Sequence, residues 1–106
     1  MSRRIVYTLH AQEDLKNIYE YIAFTLSAPG TAKDMYMRLT QAVRSLEQMP
    51  GRNPLYKDEP WRSQGMRFLP VKKYLILYTA DAETVTVVRI LYGGMDISRQ
   101  LEEETE

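Results

Sequence analysis

Apolar side chains recur at helical spacing in the first half of the chain. Between residues 15 and 26 they fall at i, i+3, i+4, i+7, i+8 and i+11, which places them along one side of an α-helix. A Ser-Ala-Pro-Gly segment at residues 27–30 interrupts this pattern. A second amphipathic helix is predicted from Thr31, whose pairing with Asp34 is typical of a capping box, to Met49. Two such helices joined by a short turn predict an antiparallel helical hairpin.

Short segments rich in β-branched and aromatic residues predict four strands. One precedes the helices at residues 3–8, and three follow at residues 66–71, 74–78 and 84–92, with a hairpin turn at residues 81–83. Short connections between the last three strands favour antiparallel pairing. The predicted order is β-α-α-β-β-β. The chain is therefore expected to be an α+β protein in which the helical hairpin packs on one face of a twisted antiparallel sheet.

Side chains of the last predicted strand are expected to alternate between the two faces of the sheet. One face would carry Thr86, Val88, Ile90 and Tyr92, and the other Val85, Val87, Arg89 and Leu91. Arg89 interrupts an otherwise apolar row. Because a buried guanidinium needs a partner, Arg89 is predicted either to pair with a carboxylate or to be exposed in a functional groove.

The 106 residues fit a single domain, which we predict over residues 1–101. A short helix at residues 95–101 would close it, and residues 102–106 would form an acidic, disordered tail. The chain has 14 basic and 14 acidic residues, and four of the acids lie in this tail. The body therefore carries 14 basic residues against 10 acidic ones, a mild positive surplus that is compatible with nucleic acid or an acidic protein partner.

Residue types that are rare or absent limit the catalytic and metal-binding sites that the chain could form. The chain has no Cys and a single His, His10, which excludes a disulfide framework, a thiolate zinc site and a Cys nucleophile. With one histidine, the chain has almost no means of forming a Ser-His-Asp triad or a His-based metal cluster. No segment approaches the roughly 20 apolar residues of a membrane span. We therefore expect no cofactor, no metal, no membrane contact and a cytoplasmic location.

Beyond these patterns, the order of particular residues resembles that of the RelE/ParE toxin superfamily. Residues 11–22 carry the pattern A-x-x-D-L-x-x-I-x-x-Y-I, and the second helix ends in Pro50-Gly51. The more specific part is the combination of residues 74–78, Tyr-Leu-Ile-Leu-Tyr, with residues 89–93. The resemblance covers residues 5–101 and implies the α+β fold predicted above.

Members of this superfamily are toxins of type II toxin–antitoxin systems. The resemblance therefore implies growth arrest and a cognate antitoxin that neutralises the toxin in a hetero-oligomeric complex. ParE-like members block DNA gyrase by binding it. RelE-like members enter the ribosomal A site and cleave mRNA.

The chain departs from the ribonuclease members at the positions that carry their chemistry. Leu75 stands where several of them have Arg, and Gly94 and Met95 replace basic residues. Leu101 stands about where a late catalytic aromatic would lie. RNA cleavage needs a base, an acid and cations that stabilise the phosphorane charge. The leading interpretation is therefore a ParE-like inhibitor that acts by binding gyrase.

Two alternatives stay open. The first is a ribosome-dependent mRNA endonuclease whose catalytic residues would be Arg67, Arg89 and Tyr92. The second is an inactive relative that only binds the antitoxin.

Contacts with the target or the antitoxin are assigned to two features. Trp61 lies in a polar loop and would either anchor a partner or fold back into the core, and we favour the core. A basic groove on the sheet, as opposed to ordinary solvated surface, would be formed by Arg67, Lys72, Lys73, Arg89 and Arg99.

Overall fold

The computed structural model describes the backbone of residues 2–104 and the side chains of residues 2–102. Its elements are β1 (Arg4–Tyr7), α1 (Leu9–Glu20), a π-helical turn (Tyr21–Thr25), α2 (Pro29–Ser45), a short 3-10 turn (Pro50–Arg52), β2 (Arg67–Val71), β3 (Tyr74–Ala80), β4 (Thr84–Tyr92) and α3 (Ile97–Glu104). This order confirms the predicted α+β class and the β-α-α-β-β-β succession.

The four strands form one sheet in the order β1-β4-β3-β2. The pairs β2–β3 and β3–β4 are antiparallel, as their short connections predict. β1, however, lies parallel to β4, so the sheet is mixed and the expectation of a wholly antiparallel sheet was wrong for this strand. The reason is that α1 and α2 separate β1 from the other strands in sequence. β1 therefore has no short connection from which its direction could be predicted.

α1 begins where the first strand ends. The Thr8 hydroxyl accepts a hydrogen bond of 3.0 Å from the Ala11 N–H and so caps the helix. At its other end α1 continues into the π-helical turn, in which the Leu26 N–H donates to the Tyr21 carbonyl over 3.0 Å. The wider turn moves Leu26 off the apolar stripe that the sequence predicts, and Leu26 is exposed.

α2 begins at Pro29, two residues before the predicted start. The predicted capping box of Thr31 and Asp34 is wrong, because both residues already lie inside the helix. Proline suits the first helical position, since its φ is preset and it has no N–H to leave unpaired. α2 ends at Ser45 instead of Met49.

The helical hairpin packs on one face of the sheet and encloses the main core. Its residues share near-complete burial and come from both helices and from the inward positions of β2, β3 and β4: Ala11, Leu15, Leu39, Val43, Leu46, Val71, Ile76, Tyr78, Val85, Val87 and Ile90.

The opposite face of the sheet is covered as well. The loop between the 3-10 turn and β2, together with α3, encloses a second core of Tyr56, Trp61, Met66, Leu77, Leu91, Ile97 and Leu101. Trp61 is only 4% exposed, which confirms its predicted place in the core. α3 extends to Glu104, so residues 102–104 are helical and the predicted disorder of the tail was wrong for them. Residues 105 and 106 lie outside the described residues.

A β-bulge in β4 decides which side chains reach each core. Leu77 lies opposite Arg89 while Tyr78 lies opposite Val87, so Val88 is an extra residue. Beyond Val88 the alternation shifts by one. The predicted faces were therefore wrong: Val87 and Ile90 both contact the helical hairpin.

Candidate functional site

Asp14 of α1 binds the exposed edge of β4. β1 stops at Tyr7, opposite Val87, so the following residues of β4 pair with β3 on one side and have no strand on the other. The Asp14 carboxylate takes that place: it accepts from the Ile90 N–H at 2.9 Å, and from the Arg89 guanidinium at 2.8 Å through both Nε and Nη2. Asp14 is 9% exposed, so it is a buried carboxylate with three charge-matched or main-chain donors.

Arg89 is therefore a paired residue, which is the structural alternative that the sequence left open. Its Nη1 also donates to the Gln100 carbonyl of α3 at 3.4 Å. The guanidinium thus connects α1, β4 and α3. A side chain held in this way is a poor candidate for binding a phosphate or a target surface.

Arg67 supports the chain between α2 and β2. Its Nη1 donates to the Asn53 carbonyl at 2.6 Å. The opposite residue on β3, Tyr78, donates its hydroxyl to the Pro50 carbonyl and accepts from Asn53 Nδ2 at 3.0 Å. Burial raises the pKa of Tyr78, so its hydroxyl remains a donor at neutral pH. Arg67 and Tyr78 together hold the start of the long loop against the sheet.

Tyr92 lies at the other end of the sheet. It pairs with Tyr74 across the strands, and the two rings meet edge to face with centroids 6.1 Å apart. Arg67 lies opposite Tyr78 on β3, whereas Tyr92 lies opposite Tyr74. Tyr78 and Tyr74 are four residues apart along β3, which is roughly 13 Å at about 3.3 Å per residue. Arg89 and Tyr92 line one groove, but Arg67 lies apart from it, so the three residues that a ribonuclease would use are not all brought together.

The remaining basic candidates lie at separate places on the surface. Lys72 and Lys73 form the exposed turn between β2 and β3, where Lys72 has a positive φ of 55°. Arg99 is exposed on α3. Only Lys73 and Arg89 line one groove together, so the five basic residues do not form the single groove that the sequence suggested.

Positions at which the sequence departs from the ribonuclease pattern do meet in space. Leu75 and Met95 line a cavity of about 390 Å³ between the second core and the start of α3, with Phe68, Gly93 and Ile97 beside them. Its ionisable residues are Lys57, Asp58 and Asp96. Asp58 accepts from the Ser98 hydroxyl, and Asp96 from the Arg99 N–H, so both carboxylates hold α3. Leu101 is buried in the core beneath them.

Two larger grooves flank α1 on opposite sides. The first, which we call the helix groove, has a volume of about 710 Å³ and lies between α1 and α2. Aromatic rings dominate its lining, and Phe24 is among the most exposed apolar side chains of the described chain. The aromatic residues of the helix groove are Tyr7, Tyr19, Phe24 and Tyr36.

The second groove, which we call the tyrosine groove, has a volume of about 830 Å³ and lies between α1 and the end of β4. Its apolar lining includes Tyr21, Leu26, Tyr74, Tyr92 and Met95. Burial raises the pKa of Tyr74, and the neighbouring Tyr21 and Tyr92 hydroxyls raise it further. The Tyr74 hydroxyl is therefore protonated at neutral pH.

Sequence reasoning singled out Tyr92, Lys73 and Arg89 but missed the other residues of this groove. Tyr21 and Leu26 come from the π-helical turn, for which the sequence offers no clear signal. Met95 follows a Gly-Gly pair at the strand end, which indicates a turn and nothing about its side chain.

Among residues 2–102, whose side chains the structure describes, no three His, Asp or Glu side chains come together as a group that could bind a metal ion. No helix within residues 2–104 is long and apolar enough to cross a bilayer.

The sequence matches a family model, the ParE toxin of the type II toxin–antitoxin system parDE, over residues 5–97. Since this match spans most of the chain, the protein is a toxin of the type II toxin–antitoxin class and, within that class, belongs to the ParE toxin family. None of the curated proteins matches the sequence.

Solved structures share the fold. The chromosomal ParDE TA system from P. aeruginosa contains a chain with a TM-score of 0.70 and 20% sequence identity, over 86% of this chain and 96% of that chain. The toxin–antitoxin complex RelBE2 from Mycobacterium tuberculosis contains one with a TM-score of 0.60 and 19% identity, over 87% of this chain and 99% of that chain. These likenesses confirm the RelE/ParE-like fold.

Proposed function

We propose that this toxin arrests growth by binding DNA gyrase, in the manner expected of ParE, and that it breaks no bond in RNA. The observation that carries the proposal is the separation of Arg67 from Arg89 and Tyr92, together with the internal contacts that both arginines make. Arg67 holds the Asn53 carbonyl, and Arg89 is bound by Asp14. Without converging cations, the developing charge of a phosphorane has nothing to stabilise it.

The cavity around Leu75 supports the same conclusion. It lies where the resemblance would place ribonuclease chemistry, yet Phe68, Leu75, Met95 and Ile97 make its lining mainly apolar, and its two carboxylates hold α3. Apolar and aromatic surface is better suited to binding another protein, whose side chains it can desolvate. The helix groove is mostly apolar as well, and the tyrosine groove combines aromatic side chains with polar ones.

A cognate antitoxin is the second part of the proposal. The outer edge of β2 is closed to strand addition, because Pro70 has no N–H and the Phe68 N–H donates to the Pro54 carbonyl at 3.1 Å. β1 forms the other edge of the sheet and pairs only with β4. We place an antitoxin strand along β1, followed by an apolar helix in the adjoining helix groove.

The direct test is gyrase-catalysed supercoiling of relaxed plasmid at increasing toxin concentration, beside mRNA cleavage on programmed ribosomes. Supercoiling should stop at stoichiometric or modest excess of toxin, and the mRNA should stay intact. Cleaved mRNA with unimpaired supercoiling would contradict the proposal and favour the endonuclease.

Arg67→Ala is expected to leave the inhibition of supercoiling within about threefold of wild type, because the side chain contacts the protein's own main chain. The loss of its hydrogen bond to Asn53 should lower the free energy of unfolding by about 1–2 kcal/mol in urea denaturation. If the variant is folded to the same extent as wild type but loses toxicity, Arg67 would instead be a residue of the functional site.

A further inference from the structure

The tyrosine groove exposes large apolar side chains that nothing else in the fold requires at the surface. Tyr21 and Leu26 are each more than half exposed, and Tyr92 and Met95 nearly so. They surround one concave surface, whereas isolated exposed apolar residues are common and need no explanation. Tyrosine is also among the residues most enriched at the centres of protein interfaces.

Local backbone features hold these side chains in position. The π-helical turn presents Tyr21 and Leu26 to the groove, and π-helical turns occur frequently at functional sites. At the other wall, Tyr92 lies against Gly94. A Cβ atom at residue 94 would come within 2.6 Å of Tyr92 Cε2, so a side chain there would force the ring to move. The glycine that replaces a basic residue of the ribonuclease members therefore permits the observed position of Tyr92.

The charge of the groove selects among partners. Its lining contains Asp14, Arg89 and Lys73, and Arg89 binds Asp14. Lys73 is left as the surplus charge, and Lys72 adds a second cation in the same turn. A partner segment with acidic side chains beside its apolar ones would be complementary.

Main-chain pairing is not available at this site. The Ile90 N–H on the neighbouring edge of β4 is bound by Asp14, so an added strand would have to displace that carboxylate. Side chains must therefore provide the affinity. β1, on the opposite side of α1, offers the antitoxin an edge that the tyrosine groove lacks.

We propose that the tyrosine groove is the surface with which the toxin holds its protein target, and that it takes an apolar segment of that target flanked by acidic residues. This inference rests on the proposed function, inhibition by binding, and assigns it to particular residues. It also separates the target from the antitoxin, since the two would lie on opposite sides of α1.

The test compares two substitutions that each remove a large apolar side chain. Tyr92→Ser changes the groove, and Met37→Ser changes α2 at a site that lines none of the three cavities. Both residues are 47% exposed, so the substitutions are matched in fractional exposure. Circular dichroism and the thermal midpoint establish that each variant folds as the wild type does.

In the supercoiling assay with purified gyrase, Tyr92→Ser should need about 10- to 30-fold more toxin for half-inhibition. Met37→Ser should stay within about twofold of wild type. Gly94→Ala, which keeps every groove side chain but displaces the Tyr92 ring, should weaken inhibition as well. Lys73→Glu should weaken it most at low salt, where steering by charge is strongest.

Full inhibition by Tyr92→Ser, or an equal loss in Tyr92→Ser and Met37→Ser, would overturn the proposal. If wild type arrests growth but leaves gyrase active, gyrase is the wrong target and growth arrest becomes the readout. Arrest abolished by Tyr92→Ser and kept by Met37→Ser then supports the groove with a different target, and arrest kept by both contradicts it. A folded wild type that arrests nothing contradicts both the groove and the proposed function.

Discussion

Replacing Asp14 by Ala is expected to lower the free energy of unfolding by about 3–5 kcal/mol. The substitution leaves the Arg89 guanidinium inside the protein without its carboxylate, and it leaves the Ile90 N–H of β4 without an acceptor. Both groups then carry a desolvation cost, which the hydrogen bond from Arg89 to the Gln100 carbonyl offsets only in part. Urea denaturation followed by circular dichroism measures the effect. Since small domains are often only about 5–15 kcal/mol stable, loss of soluble protein is the extreme form of the same result.

The double variant Asp14→Ala/Arg89→Met separates the unpaired charge from lost packing. Methionine keeps the length of the arginine stem without its charge, so the double variant should recover part of the stability that Asp14→Ala loses. Additive losses in the two single variants and the double variant would mean that the two side chains do not depend on each other. The ion pair would then be irrelevant to the stability of the fold.

Trp61→Ala should have an effect of similar size, about 3–5 kcal/mol, because it leaves a large cavity in the second core. The Trp61 ring meets Tyr56 edge to face with centroids 6.0 Å apart, and it belongs to the cluster on which α3 packs. Loosening of α3, seen as faster amide exchange in residues 97–104, should accompany the loss of stability.

Trp61→Phe is the matched control, since it keeps an aromatic ring and should cost less than the alanine substitution. If Trp61→Ala kept full stability but lost binding to a partner, the residue would be an interface anchor. Trp61 would then not be buried in the second core of the protein in solution.

Much of the fold could be predicted from the sequence because each element repeats a simple physical pattern. The stripe from Leu15 to Leu26 and the β-branched run of β4 indicate a helix and a strand without reference to the rest of the chain. Burial of Trp61 follows from its apolar area. The start of α2 was missed because Pro29 competes with Thr31 as a signal for the helix start, and both are common there.

Features that depend on distant contacts could not be predicted in this way. The parallel position of β1 depends on the path of the two helices, and the bulge at Val88 depends on pairing with β3. Asp14 and Arg89 are 75 residues apart, so the sequence could indicate only that Arg89 needed a partner. To predict the tyrosine groove, both the π-helical turn and the shifted alternation of β4 would have had to be known.

The candidate site shows the same division. Leu75, Gly94 and Met95 could be identified as departures from ribonuclease chemistry by position alone. Only the three-dimensional arrangement reveals that Leu75 and Met95 meet in one mainly apolar cavity. It also reveals that Gly94 makes room for Tyr92.

Pulse labelling of DNA and protein synthesis after induced expression without antitoxin tests the central claim most directly, because it identifies the process that fails first. Inhibition by binding gyrase predicts that DNA synthesis stops first and that the cells form filaments while protein synthesis continues. Protein synthesis that stops first would contradict the account, because it would place the toxin at the ribosome despite the separation of Arg67 from Arg89 and Tyr92.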